Sequence, residues 1–110
     1  MKEHRYYVYI LTNAGRTVLY TGVTNNLARR LQEHAAGAHD GFTKKYRVRH
    51  LLYYEEFGWI QEAIAREKAI KSWPRKRKEA LVGTVNPAWI FIEGRFHAAS
   101  LAGPNADGAP

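Results

Sequence analysis

The sequence predicts an α+β domain, a small and mostly antiparallel three-stranded sheet flanked by helices in the order β-β-α-β-α-α. Three observations carry this prediction. Short runs rich in aromatic and β-branched residues fall at 5–12, 17–23 and 48–57. Stretches after the second and third runs space their apolar residues as helices do. Glycine, asparagine and proline punctuate the joins. At 110 residues the chain is long enough for one compact core and too short for two.

Each element has a local reason. "RYYVYILT" (5–12) and "TVLYTGV" (17–23), joined by the turn residues "NAGR", form a hairpin. Thr24, Asn25 and Asn26 offer N-cap side chains for a helix from Leu27 to Ala36, which Gly37 ends. "GAHDGFTKKYR" (37–47) reads as a loop with a basic end, and "VRHLLYYEEF" (48–57) as the third strand, broken by Gly58. A longer helix spans Trp59 to Trp73, and Pro74 opens a short third helix over "RKRKEALVGTV" (75–85). The folded domain is expected to cover 1–92. The small, Gly/Pro-rich stretch 93–110 is expected to be a disordered tail.

Composition narrows the function. Seventeen Lys and Arg against ten Asp and Glu give a net charge of +7, which favours a polyanionic partner, nucleic acid being the commonest. The alternative is a basic surface that serves only solubility. No cysteine is present, so disulfides, thiolate catalysis and cysteine-type zinc sites are excluded, and a reducing cytoplasm is the expected location. No apolar run reaches the ~18 residues of a membrane span. The N-terminus lacks a signal-peptide apolar region followed by a small-residue cleavage site.

Helical-wheel and strand alternation then select side chains. On the first helix Leu27 and Leu31 define the buried face with Ala35 beside them, His34 falls within it and Arg30 flanks it, while Arg29, Gln32 and Glu33 point away. Taken alone, His34 reads better as a core-edge histidine bonded to a backbone carbonyl than as a site residue. On the long helix Ile60, Ala63, Ile64 and Ile70 mark the apolar face, and Glu67 lies inside that arc. A carboxylate there needs a partner, either a metal ion or Lys71 at i,i+4. In the hairpin Tyr7 and Tyr9 share a face, as do Val18, Tyr20 and Gly22. If these faces coincide, Tyr9 and Tyr20 meet.

"YVY" (7–9), "YTG" (20–22), "NNLARRLQEH" (25–34) and "AREKAIK" (65–71), in this order and spacing, resemble the GIY-YIG nuclease domain, and its small stand-alone bacterial members most closely. The resemblance covers residues 5–90. It implies a catalytic set in which Tyr9 matches the tyrosine of the first motif, Tyr20 that of the second, Arg30 the helix arginine, His34 the His-or-Tyr position a turn later and Glu67 the metal-binding glutamate. There are departures. Tyr7 stands where the first motif has glycine, Val8 and Thr21 where the motifs have isoleucine, and Val23 where some relatives carry lysine. Asn86 is a tentative counterpart of a late asparagine.

The activity so implied is a divalent-metal-dependent endonuclease hydrolysing phosphodiester bonds in DNA, with RNA as another possible substrate. With no separate recognition domain, it is expected to be directed by structure or damage, as in DNA repair, rather than by base sequence. Glu67 suits one hard ion, Mg²⁺ or Mn²⁺, in a one-metal site, and no organic cofactor or membrane partner is expected. Arg30 would hold the scissile phosphate, and Tyr9 or Tyr20, preferably Tyr20, would act as base or relay, with His34 orienting a tyrosine hydroxyl or serving as an alternate base. Two basic stretches would grip the backbone: Lys44, Lys45, Arg47 and Arg49, then Lys71, Arg75, Lys76, Arg77 and Lys78. The alternative is a non-cleaving nucleic-acid-binding domain of the same fold.

Overall fold

A computed structural model of the chain describes residues 4–38 and 41–96. Three strands, β1 (Tyr6–Thr12), β2 (Leu19–Thr24) and β3 (His50–Phe57), form one antiparallel sheet in the order β2-β1-β3. The helices are α1 (Leu27–Ala35), α2 (Gly41–Tyr46), α3 (Ile60–Ser72) and α4 (Arg75–Val85). The expected α+β fold is therefore present with one addition. The stretch 37–47, expected to be a loop, contains α2, while its residues 39 and 40 lie outside the described part.

β1 is the central strand, and every second residue feeds a different core, as the period of two requires. Tyr9 and Leu11 pack with Leu51 of β3, Val48 and the Leu27–Leu31 stripe of α1. Val8 and Ile10 pack on the other face with Ala63 and Ile70 of α3 and Val82 of α4. So α1 covers one side of the sheet and α3 and α4 the other.

A β-bulge breaks the register between Ile10 and Leu11. Ile10 pairs with Tyr53 and Leu11 with Leu51, leaving Leu52 as the extra residue. This lets the consecutive residues Leu52 and Tyr53 both face the α3 side. The Leu52 carbonyl accepts a hydrogen bond from Asn86 Nδ2 at 2.9 Å, and the same amide ties back to Ile90 through both its donor and its acceptor. Asn86 thus braces the bulge from the end of α4.

Local chemistry sets the boundaries. Asn13 Oδ1 accepts from the backbone N–H groups of Thr17 and Val18 and closes the hairpin turn. Of the three cap candidates, Asn26 is the N-cap of α1, its side chain accepting from Arg29 N at 3.0 Å. Gly37, at φ +71°, ends that helix in the left-handed conformation glycine favours.

Three expectations are corrected. Ala35 is exposed rather than part of the buried face of α1. Ile60 and Ile64 are each 38% exposed, and the buried side of α3 is instead Ala63, Glu67 and Ile70. Residues 93–96, assigned above to the tail, form a helical turn in which Glu93 accepts from the Leu51 N–H at 2.9 Å and Phe96 packs edge-on against Tyr54. The rest of the expected tail, 97–110, lies outside the described residues.

Candidate active site

The hairpin register brings the two motif tyrosines together. Tyr9 pairs with Gly22 and Leu11 with Tyr20, so Tyr9, Tyr20 and Gly22 lie on the α1 side of the sheet. Their ring centroids are 6.4 Å apart. The Tyr9 ring lies across Gly22. A Cβ added there would come within 2.5 Å of both Tyr9 Cζ and its hydroxyl oxygen, and 3.1 Å from Tyr20 Cε2. The glycine of "YTG" is required by this approach.

β2 runs directly into α1. The Asn26 cap and the packing of Leu27 and Leu31 fix the roll of the helix, which delivers His34 over the tyrosines. Tyr9 Oη lies 3.2 Å from His34 Nε2, and the His34 ring is 5.9 Å from Tyr9 and 5.6 Å from Tyr20, edge-on to both. Of the two readings open for His34, the tyrosine contact is the one realised at Nε2. Arg30, one turn earlier, has a side chain only 25% exposed. Its Nε is buried and 3.1 Å from Glu33 Oε1, though outside hydrogen-bonding alignment. Glu33, expected to face solvent, is thus half-buried beside the arginine.

Burial separates the two tyrosines chemically. Tyr9 is fully buried, and burial pushes its pKa up to about 12, with Tyr20 adding to the rise and the Arg30 guanidinium opposing it. At neutral pH Tyr9 therefore keeps its proton and serves as a hydrogen-bonding group. Tyr20 is only half-buried, so solvent can reach it.

The structure brings Tyr9, Tyr20, Arg30 and His34 together and sets Glu67 apart from them. Glu67 sits on α3, over the opposite face of the sheet, with a side chain 12% exposed and 2.6 Å from Lys71 Nζ. Of the two partners named from the sequence, Lys71 is the one seen here, with its side chain 53% exposed. Among the described residues no group of three His, Cys, Asp or Glu side chains could cage a metal ion. One carboxylate with water ligands is the donor set that remains, and it suits a hard, hydrated cation.

The two basic stretches lie on different sides. Lys44, Lys45, Arg47 and Arg49 are exposed on and after α2, beside the tyrosine cluster. In the second stretch most cations have intramolecular partners. Lys71 holds Glu67, Arg75 bonds Glu79 and the Thr17 carbonyl, and Arg77 lies 4.0 Å over the Trp73 ring. Lys76 is exposed and Lys78 half-buried.

One site residue escaped the sequence reading. Phe42 stacks on Tyr20 with centroids 6.0 Å apart and planes 27° apart, and it touches Tyr46 at 5.0 Å. The i,i+4 spacing of Phe42 and Tyr46 was a legible signal, but only if the segment is helical.

Comparison with known proteins identifies the family. A family model described as the GIY-YIG catalytic domain matches residues 5–80. A UPF0213 protein of Bacillus pumilus is 37% identical over 82 residues, covering 74% of this chain and 83% of the relative. A UPF0213 protein of Natronomonas pharaonis is 43% identical over 77 residues, covering 70% and 89%. The solution NMR structure of a UPF0213 protein from Bacillus halodurans superposes with a TM-score of 0.51 at 31% identity, over 77% of this chain and 89% of that one. With its motif tyrosines, helix arginine and histidine assembled as described, the chain belongs to the GIY-YIG family of nuclease-type catalytic domains and is similar within it to the small UPF0213 proteins.

Proposed function

We propose that this chain is a divalent-metal-dependent endonuclease that hydrolyses phosphodiester bonds in DNA, directed by the structure or damage of its substrate rather than by base sequence. The observation that carries the reading is the packing of Tyr9, Tyr20 and His34 over Gly22, with Arg30 one helical turn away. A site built for stability alone has no need of three polar rings around a glycine.

In this reading the Arg30 guanidinium holds the scissile phosphate and balances charge that builds on its oxygens. The attacking water gives its proton to the Tyr20 hydroxyl, which passes its own to the His34 imidazole. The new P–O bond forms as the bond to the departing sugar oxygen breaks, and that oxygen takes a proton from solvent to leave as the hydroxyl. Tyr9, protonated and buried, fixes the imidazole from the other side. The reaction takes place on the α1 side of the sheet, beside α2, where Lys44, Arg47 and Arg49 hold flanking phosphates.

Glu67 is the residue suited to holding Mg²⁺ or Mn²⁺, which would supply further charge neutralisation at the phosphate. α3 packs on β1 and on β2, an edge strand, so in this reading the cation held by Glu67 meets the phosphate around that edge. Thr21 Oγ1, buried on β2, has no hydrogen-bond partner among the described residues. No helix among the described residues is long and apolar enough to cross a membrane, and the cysteine-free chain suits the cytoplasm we assign it.

The test is cleavage of labelled duplex, flapped, branched and damaged DNA, and of RNA, with Mg²⁺ or Mn²⁺. Cutting of structured or damaged DNA supports the reading, and inertness toward every substrate overturns it. The Glu67–Lys71 pair favours a second reading, a domain of the same fold that binds nucleic acid without cutting it.

A further inference from the structure

We propose that α2 and the groove beside it form a subsite for an unpaired nucleotide of single-stranded DNA, next to the phosphate to be cut. The inference rests on the nuclease reading of the same site and names its substrate class.

Phe42 is 46% exposed and Tyr46 41% exposed, although both are large aromatic side chains. Neither is among the side chains packed against the two cores, so core filling does not explain them. Phe42 lies nearly parallel to Tyr20 and against Tyr46. The three rings form a continuous aromatic path that starts at the proposed proton acceptor and leads out to solvent.

A groove of about 330 Å³ lies between the C-terminal end of α1 and α2. His34, Thr43, Lys44, Arg47 and Arg49 line it, and among the described residues no carboxylate does. It therefore joins a proposed catalytic histidine to three cations, next to an exposed aromatic pair. Cations that track a backbone, beside rings on which bases stack, are the combination by which single strands are held.

The cations alone do not discriminate, since duplex and single strand both present phosphates. The rings do. In a duplex each base face is covered by its neighbours, and a ring on the protein surface cannot reach it. An unpaired base can lay its face on Phe42, which would set its flanking phosphate beside Tyr20 and Arg30. Preference for unpaired strands is thus assigned to Phe42 and Tyr46, and general affinity to Lys44, Arg47 and Arg49.

The test is fluorescence anisotropy of the full chain, in chelator so that nothing is cut, with one labelled DNA sequence as single strand and as duplex, and with the matching RNA strand. Phe42→Ala should weaken single-stranded DNA binding by roughly tenfold or more, while duplex binding changes less than about twofold. Phe42→Trp should restore single-strand binding. Phe42→Leu keeps bulk without a ring and should behave like the alanine variant even if that variant folds poorly. Equal weakening for single strand and duplex, or no weakening for either, would overturn the proposal. RNA bound more tightly than the matching DNA would overturn its commitment to DNA. A chain that discriminates through Phe42 yet cuts nothing would refute the nuclease reading and leave the subsite standing. A chain that cuts single-stranded or flapped DNA equally well with Phe42→Ala would do the reverse.

Discussion

Gly22→Ala probes the closest approach in the site. The new Cβ would sit 2.5 Å from Tyr9 Cζ and from its hydroxyl oxygen, where carbon contacts settle at about 3.5–4.0 Å. The Tyr9 ring would have to retreat by about 1 Å, yet it is fully buried, packed in the Leu27–Leu31 cluster and within hydrogen-bonding distance of His34. Overpacking of this kind costs about 1–3 kcal/mol. Gly22 does not have a positive φ, so alanine also returns ~0.4–1 kcal/mol by restricting the unfolded chain. A net loss of roughly 1–2 kcal/mol is expected, read as a lower urea midpoint at unchanged slope. The same substitution in a Tyr9→Val background, where the ring is gone, should cost nothing or stabilise. The resulting coupling should be at least about 1 kcal/mol. An equal cost in both backgrounds would refute the claim that glycine is there to admit the Tyr9 ring. Cleavage should fall with Gly22→Ala even where the protein remains folded, because the displaced ring takes His34 with it.

Other expectations follow from the same contacts. The folded Tyr9 pKa, at about 12, exceeds its unfolded value near 10, so its contribution is fully present below about pH 10 and is lost as pH rises toward about 12. Tyr9→Phe should therefore lose less stability than wild type between about pH 8 and about pH 11, by roughly 1 kcal/mol in paired urea titrations. An identical loss would show that Tyr9 ionises freely. For DNA binding, Lys44→Ala with Arg47→Ala should flatten the salt dependence of affinity by about one unit of slope per lost phosphate contact. Lys76→Ala with Arg77→Ala should flatten it less, because Arg77 is already engaged over Trp73. The reverse order would place the DNA on the α4 side of the sheet.

Much of this architecture was legible because it follows short-range rules. The hairpin, the Asn26 cap and the Gly37 stop are local signals, and strand alternation alone set Tyr9 and Tyr20 on candidate faces. The α1 wheel singled out Arg30 and His34 because Leu27 and Leu31 leave no doubt about the buried stripe. Other features need the third dimension. α2 is six residues long, starts at a glycine and buries only Thr43, too little for periodicity to register. With α2 unseen, Phe42 could not be brought to Tyr20. The bulge at Leu52 shifts pairing by one residue without a mark in the sequence. On α3, Ile60 and Ile64 looked buried because they are apolar, but the sheet is met by Ala63, Glu67 and Ile70. The run of cations at 71–78 looked like one DNA-binding surface, whereas Arg75 and Arg77 have structural partners.

The account depends most on Glu67 acting on the same phosphate as the tyrosines and Arg30. Cleavage of a labelled flapped DNA in Mn²⁺ or Mg²⁺, compared between wild type and Glu67→Gln with binding measured in parallel, tests this directly. The glutamine keeps the shape of the side chain and removes the charge that would hold the cation. Wild type should cut, and Glu67→Gln should bind as wild type does while cutting at least about 100-fold more slowly. If Glu67→Gln folds and cuts at the wild-type rate, Glu67 is only the partner of Lys71, and the metal-ligand assignment is wrong.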